Sequence, residues 1–172
     1  MTGATFRFAA VDDAAAVASL VERAYRGEES KLGWTTEADL LEGPRTSPET
    51  IAGLIAGSDA RFVLAEEGGA LVACAMIQRQ GDRAYFGTFA VEPRRQARGL
   101  GKAVLAASER AAAETWGARL MVMTVINERT SLIEWYERRG YDLTGERRAF
   151  PFSAQAGAVR QDFDFVVMEK AL

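Results

Sequence analysis

The spacing of apolar positions changes several times along this chain, and each change predicts an element. Residues 5–9 alternate apolar and polar side chains, the period of a half-buried strand. Over residues 14–25, Val17, Leu20, Val21 and Ala24 recur at helical spacing, with Asp12 or Asp13 placed to cap the first turn. From 26 to 48 the pattern is irregular, broken by Gly27, Gly33, Gly43, Pro44 and Pro48, with Thr36 ahead of a short helical turn over 37–41. Ser47 then opens a helix to about Gly57, with Pro48 at its first position, where a missing N–H is harmless. Apolar runs at 61–66, 70–79 and 83–91 are linked by glycine turns at 67–69 and 81–82, which predicts antiparallel hairpins. An alanine-rich helix over 99–116 follows, then a buried strand over 119–126. A helix over 130–139 stops at Gly140, and closing strands follow at 141–147 and 162–169. In the last of these, Phe163, Phe165 and Val167 share one face. The order β-α-α-β-β-β-α-β-α-β-β predicts an α/β fold with a central mixed sheet flanked by helices. Its fourth strand, long helix and fifth strand form a parallel crossover.

Composition narrows the class. With 172 residues and 48% apolar content, the expectation is one domain with a substantial core over 1–172. A net charge of −3 exerts no general pull toward nucleic acid or a membrane surface, and no stretch is apolar enough to span a bilayer. The first residues lack a basic-then-apolar export pattern, so a cytoplasmic location is the default expectation. The single cysteine, Cys74, falls in an apolar strand and is expected to be buried. The chain contains no histidine, which removes the usual neutral-pH base and the commonest metal ligand. Any base must therefore be a carboxylate, a tyrosine or a water, and no metal is expected.

The stretch from Val91 to Ala103 carries the strongest chemical signal. An apolar run ends at Pro93, a basic glycine-containing turn follows, and a helix begins. Free N–H groups at a helix start, with the helix dipole behind them, favour an anion. Gly99 and Gly101 leave room for close approach, and Arg94, Arg95, Arg98 and Lys102 add charge. A plain tight turn with solvated arginines would use the same residues. The third glycine of a dinucleotide fingerprint is replaced by Val104, and Lys102 is followed by Ala103 where a Walker loop needs serine or threonine.

This element order, the Gln96-x-x-Gly99-x-Gly101 turn, and the later Tyr136-x-x-x-Gly140-Tyr141 together resemble the GNAT superfamily of acetyl-CoA-dependent N-acetyltransferases. The resemblance spans nearly the whole chain and is strongest from Phe86 to Tyr141. It implies acetyl-CoA as co-substrate, its pyrophosphate held by amides of Gln96, Ala97, Arg98, Gly99, Leu100, Gly101 and Lys102. It also implies that the pantetheine arm pairs with backbone near Phe89 and Val91, where the fourth and fifth strands splay. Arg139, with Arg94, Arg95 and Arg98, could take the adenosine 3′-phosphate. Tyr136 would protonate the departing thiolate: a phenol of pKa about 10 can serve a thiol of about 8.5. An aromatic core residue on an amphipathic helix would look the same. Many relatives place asparagine seven residues before this tyrosine. Here Arg129 stands there, able to contact coenzyme or a substrate carboxylate, and Asn127 could instead end the fifth strand.

On the acceptor side, the resemblance directs a primary amine to the segment between the first two helices. That segment is acidic, with Glu28, Glu29, Glu37, Asp39 and Glu42 against Arg26, Lys31 and Arg45, so it is expected to attract a cationic amine. Glu28 or Glu29 is the expected water-mediated base, with Glu37 and Asp39 next as substrate contacts and Trp34 as a pocket wall or loop anchor. The implied activity is direct acetyl transfer to a small-molecule amine. A protein or peptide N-acetyltransferase and a non-catalytic acyl-CoA-binding module are the alternatives. Homodimers are frequent in such families.

Overall fold

The computed structural model describes residues 3–33, 36–41, 43–151 and 161–172, without the side chains of residues 27 and 28. Seven strands form one mixed sheet: β1 (Thr5–Phe8), β2 (Ala60–Glu67), β3 (Ala70–Gln80), β4 (Arg83–Val91), β5 (Leu120–Ile126), β6 (Asp142–Ala149) and β7 (Asp164–Ala171). Their spatial order is β1-β2-β3-β4-β5-β7-β6, and only β4 and β5 run parallel. The helices are α1 (Ala14–Tyr25), α2 (Gly27–Ser30), α3 (Pro48–Ala56), α4 (Leu100–Trp116) and α5 (Thr130–Glu137). The predicted order holds, with α2 as one extra turn inside the irregular segment.

Two cores cover the two faces of the sheet, and the alternation of β3 feeds both. Cys74 and Met76 point to the side where α1 and α3 pack, meeting Val17, Leu20, Val21 and Phe62. Ala73, Ala75 and Ile77 point to the other side, against Leu100, Val104 and Leu105 of α4. Most of the core therefore follows the predicted periodicity. Ser47 caps α3 as expected, its hydroxyl accepting the Thr50 N–H at 3.2 Å. The cap expected from Asp12 or Asp13 does not form. A short 3-10 turn (Val11–Asp13) precedes α1, and the Asp13 carboxylate takes the Ala10 N–H and the Arg7 guanidinium instead.

The register between β4 and β5 positions the site. These strands pair only at Arg83–Leu120, Ala84–Met121 and Tyr85–Val122. Beyond Tyr85 they diverge. On its other edge β4 carries a bulge against β3, with pairing that shifts between Cys74 and Met76 and with Thr88 at a φ of 45°. Gly87, just before the bulge, gives the Tyr85 ring room: a Cβ there would lie 2.8 Å from Tyr85 Cε1. The Tyr85 hydroxyl in turn bonds Thr124 Oγ1 across the opening at 2.9 Å.

Candidate active site

The divergence of β4 and β5 opens two adjoining cavities that share Phe89 and Leu132. The first, about 170 Å3, is lined by Phe89, Val91, Gln96, Ala97, Gly99, Gly101, Lys102, Leu132, Trp135 and Arg139. It brings together most of the residues expected to hold coenzyme. Gly99 has a φ of 77°, a left-handed cap natural to glycine, and α4 starts immediately after it. The Ala103 N–H bonds the Gly99 carbonyl at 3.1 Å, so the N–H groups of Leu100, Gly101 and Lys102 have no acceptor within the helix. A Cβ on Gly101 would lie 3.3 Å from Phe89 Cζ and 3.6 Å from Trp135 Cζ2, so a side chain there would fill the cleft. The Glu92 N–H bonds the Val72 carbonyl. By strand alternation Val91 then turns its own N–H and carbonyl toward the gap, where Gln96 Nε2 takes the carbonyl at 3.1 Å.

Among the residues expected to hold coenzyme, Leu100, Arg98 and Arg129 do not line this cavity. The Leu100 side chain is buried in the core, so only its N–H can serve a ligand. Arg98 is exposed and lines neither cavity, because the left-handed Ala97 and Gly99 on either side turn this stretch outward. Arg129 lines the second cavity. Of the other arginines, Arg95 is ion-paired to Glu67. The Phe89 carbonyl, expected to pair with pantetheine, accepts the Tyr25 hydroxyl.

Arg139 stacks on Trp135 with its guanidinium carbon 3.7 Å from the ring centroid, and Nη1 donates to the Trp135 carbonyl at 2.8 Å. Its Nε is buried without a hydrogen-bond partner among the described residues. Burial and the neighbouring Arg138 hold its pKa below the ordinary arginine value. Trp135 and Leu132 were not among the expected site residues. Their signal was present in the spacing of Leu132, Trp135, Tyr136 and Arg139, one face of α5 and the turn after it.

The second cavity, about 130 Å3, is lined by Tyr25, Glu37, Arg45, Tyr85, Arg129 and Tyr136 among others. Tyr136 is 4% exposed, wedged edge-on between Trp135 and Tyr141 at centroid distances of 5.2 and 5.8 Å. Its hydroxyl has no hydrogen-bond partner among the described residues. Burial pushes its phenol above the ordinary value, while Arg129 and Arg45 pull it back. Glu37 is a hub: Oε1 accepts from Arg26 at 2.5 Å and from Arg45 at 3.1 Å, and Oε2 lies 3.6 Å from Arg129. Burial alone would raise its pKa, but Arg45, Arg129 and Arg26 together hold it below the ordinary carboxylate range.

The remaining expected residues separate. Glu29 and Asp39 are exposed and line neither cavity. Trp34 and the side chain of Glu28 lie outside the described residues. Asn127 is structural, its side-chain oxygen accepting the Asp164 N–H at 3.0 Å where β5 ends. Cys74 is buried on β3 beside β4, its thiol donating to the Thr88 carbonyl at 3.8 Å, and burial pushes its pKa up to about 12. Among the described residues there is no helix long and apolar enough to cross a membrane and no cluster of metal-ligating side chains.

The model of the Acetyltransferase (GNAT) family matches residues 14–141. Comparison with curated proteins gives no significant match. Among solved structures, the chain resembles the ribosomal-protein-S18-alanine N-acetyltransferase of Escherichia coli, with a TM-score of 0.73 at 21% identity, covering 98% of this chain and 93% of that one. It also resembles the PaiA N-acetyltransferase of Thermoplasma acidophilum in complex with coenzyme A, with a TM-score of 0.71 at 16% identity, over 99% and 100% of the two chains. A chimeric spermidine N-acetyltransferase from Vibrio cholerae gives 0.71 at 15% identity, over 99% and 96%.

Proposed function

This chain belongs to the GNAT acetyltransferase family, and on that premise we propose that it moves the acetyl group of acetyl-CoA to a primary amine of a small molecule, directly, with both substrates bound together. The observation that carries the reading is the pair of cavities meeting at Phe89 and Leu132, one ending in free helix amides and the other in Tyr136. The first fits coenzyme A. The N–H groups of Leu100, Gly101 and Lys102 would hold the pyrophosphate, with Lys102 and Arg139 adding charge and Trp135 and Phe89 flanking the arm. Acetyl-CoA supplies an acetyl thioester at the junction of the cavities.

The chain's own residues then have separate tasks. Val91, with its N–H turned into the gap, orients the arm between β4 and β5. Tyr136 keeps its proton at neutral pH and gives it to the sulfur as the amine nitrogen bonds the acetyl carbon and the C–S bond breaks. Arg129 and Arg45 offset the charge left on the phenol oxygen. Glu37, held acidic by three guanidiniums, is a weak base, so the amine proton leaves through water. A covalent acetyl-enzyme would need a nucleophile, and Cys74 is buried, lines neither cavity and resists ionisation.

Calorimetric titration with acetyl-CoA, coenzyme A and NADH tests the first cavity, with Gly101→Glu as control. Binding selective for the coenzyme A compounds and lost in the variant is expected, because glutamate places bulk and negative charge among the free amides. Equal binding of NADH, or retention in the variant, refutes the assignment of the turn.

A further inference from the structure

We propose that the acceptor amine also carries a carboxylate, and that Arg45, with Arg129 beside it, receives that carboxylate in the cavity next to Tyr136. The inference rests on the acetyltransferase reading and adds the substrate class: small amino carboxylates.

The acidic surplus of residues 26–45 pointed to attraction of a cation, but folding redistributes it. Glu29 and Asp39 face outward, and the described charged side chains lining the cavity are Glu37, Arg45 and Arg129. Glu37 is already shared among three guanidiniums, so its charge is committed and it makes a poor seat for an ammonium. Arg45 is differently placed. It spends Nε on Glu37 at 3.1 Å and lays its guanidinium carbon 4.1 Å from the Tyr25 ring centroid. Its two terminal nitrogens make no hydrogen bond to any described residue.

A guanidinium cannot shed its charge to relieve this, and its planar fork matches a carboxylate with two parallel N–H bonds. The ring of Tyr25 and the Glu37 contact fix the plane of that fork, so little side-chain freedom remains to be lost on binding. Arg45 and Tyr136 line the same cavity, and an amino carboxylate separates its two groups by only one or a few carbons. One end can then rest on Arg45 while the other reaches the junction where the thioester is placed.

The test uses matched sets of acceptors: amino acids from glycine to phenylalanine, their carboxamides and their decarboxylated amines, each assayed by thiol release at saturating acetyl-CoA. The expected result is kcat/KM about 10- to 100-fold higher for the carboxylate than for its carboxamide in at least one set, the range for a charged two-point contact. Arg45→Gln should bring that ratio close to one, and Arg45→Lys should restore it only in part, since an ammonium lacks the fork. If carboxamides or plain amines do as well in every set, the carboxylate site is wrong while the acetyltransferase reading stands. If O-phosphoethanolamine outperforms every amino carboxylate, the subsite is for phosphate and the assignment is overturned. Thiol release with no amine, while acetyl-CoA still binds, overturns the amine acetyltransferase reading itself. The comparison within the wild type decides the matter even if Arg45→Gln fails to fold.

Discussion

Glu37→Gln changes the shape of the site very little and removes one charge from its centre. Glu37 is 7% exposed and Arg26 8%, and Arg45 and Arg129 close the cluster. These groups have already lost their hydration, so removing the carboxylate leaves guanidiniums in a poor solvent without their counter-charge. Breaking a buried pair in this way costs about 3–5 kcal/mol. Glutamine keeps an oxygen for Arg26 and Arg45, which argues for the lower end, about 3 kcal/mol. For a chain of this size each kcal/mol shifts Tm by about 2–4 °C, so a drop of about 6–12 °C is expected at neutral pH. The sign with pH follows from the depressed folded pKa of Glu37. Its stabilisation is fully present above the unfolded carboxylate value of about 4.3 and is lost as pH falls through the lower, folded value. Thermal unfolding followed by circular dichroism, for wild type and variant from about pH 8 to about pH 3.5, should show a gap that is constant near neutrality and narrows only below about pH 4.3. A gap under about 2 °C at pH 7, less than one kcal/mol at this chain size, would refute the view of Glu37 as a structural hub. So would a gap that widens on acidification.

Other outcomes follow from the same geometry. Tyr136→Phe should lower turnover by about 100-fold or more, the loss of one acid catalyst, while calorimetry finds coenzyme binding nearly unchanged. Turnover close to wild type would place the proton donor elsewhere. Cys74→Ala should keep kcat within about twofold in protein that still melts cooperatively, since the thiol lines neither cavity. Accumulation of an acetylated enzyme in the wild type and its absence in the variant would overturn direct transfer.

Features that depend on neighbours along the chain are legible in the residue pattern. Helical spacing placed α1, α4 and α5 within a residue or two, alternation placed most strands, and the Gly99-x-Gly101 turn declared itself because a left-handed cap and a close approach need glycine wherever they occur. Tyr136 and its helix were legible for the same reason. Which side chains meet is set by folding. By its position Asp13 predicts a helix cap, yet Arg7 from the adjacent strand claims its carboxylate. Ala97 gave no notice of its left-handed φ of 67°, because alanine has no preference for it. Trp135 and Leu132 became cleft walls only because β4 and β5 part beside α5. The acidic loop reads as a seat for cations until Arg129, remote in sequence, joins Arg26 and Arg45 around Glu37. Periodicity is a local property of the backbone, whereas the partner of a charge is set by whichever element folding brings beside it, and in this protein that choice turned an acidic segment into an arginine-lined pocket.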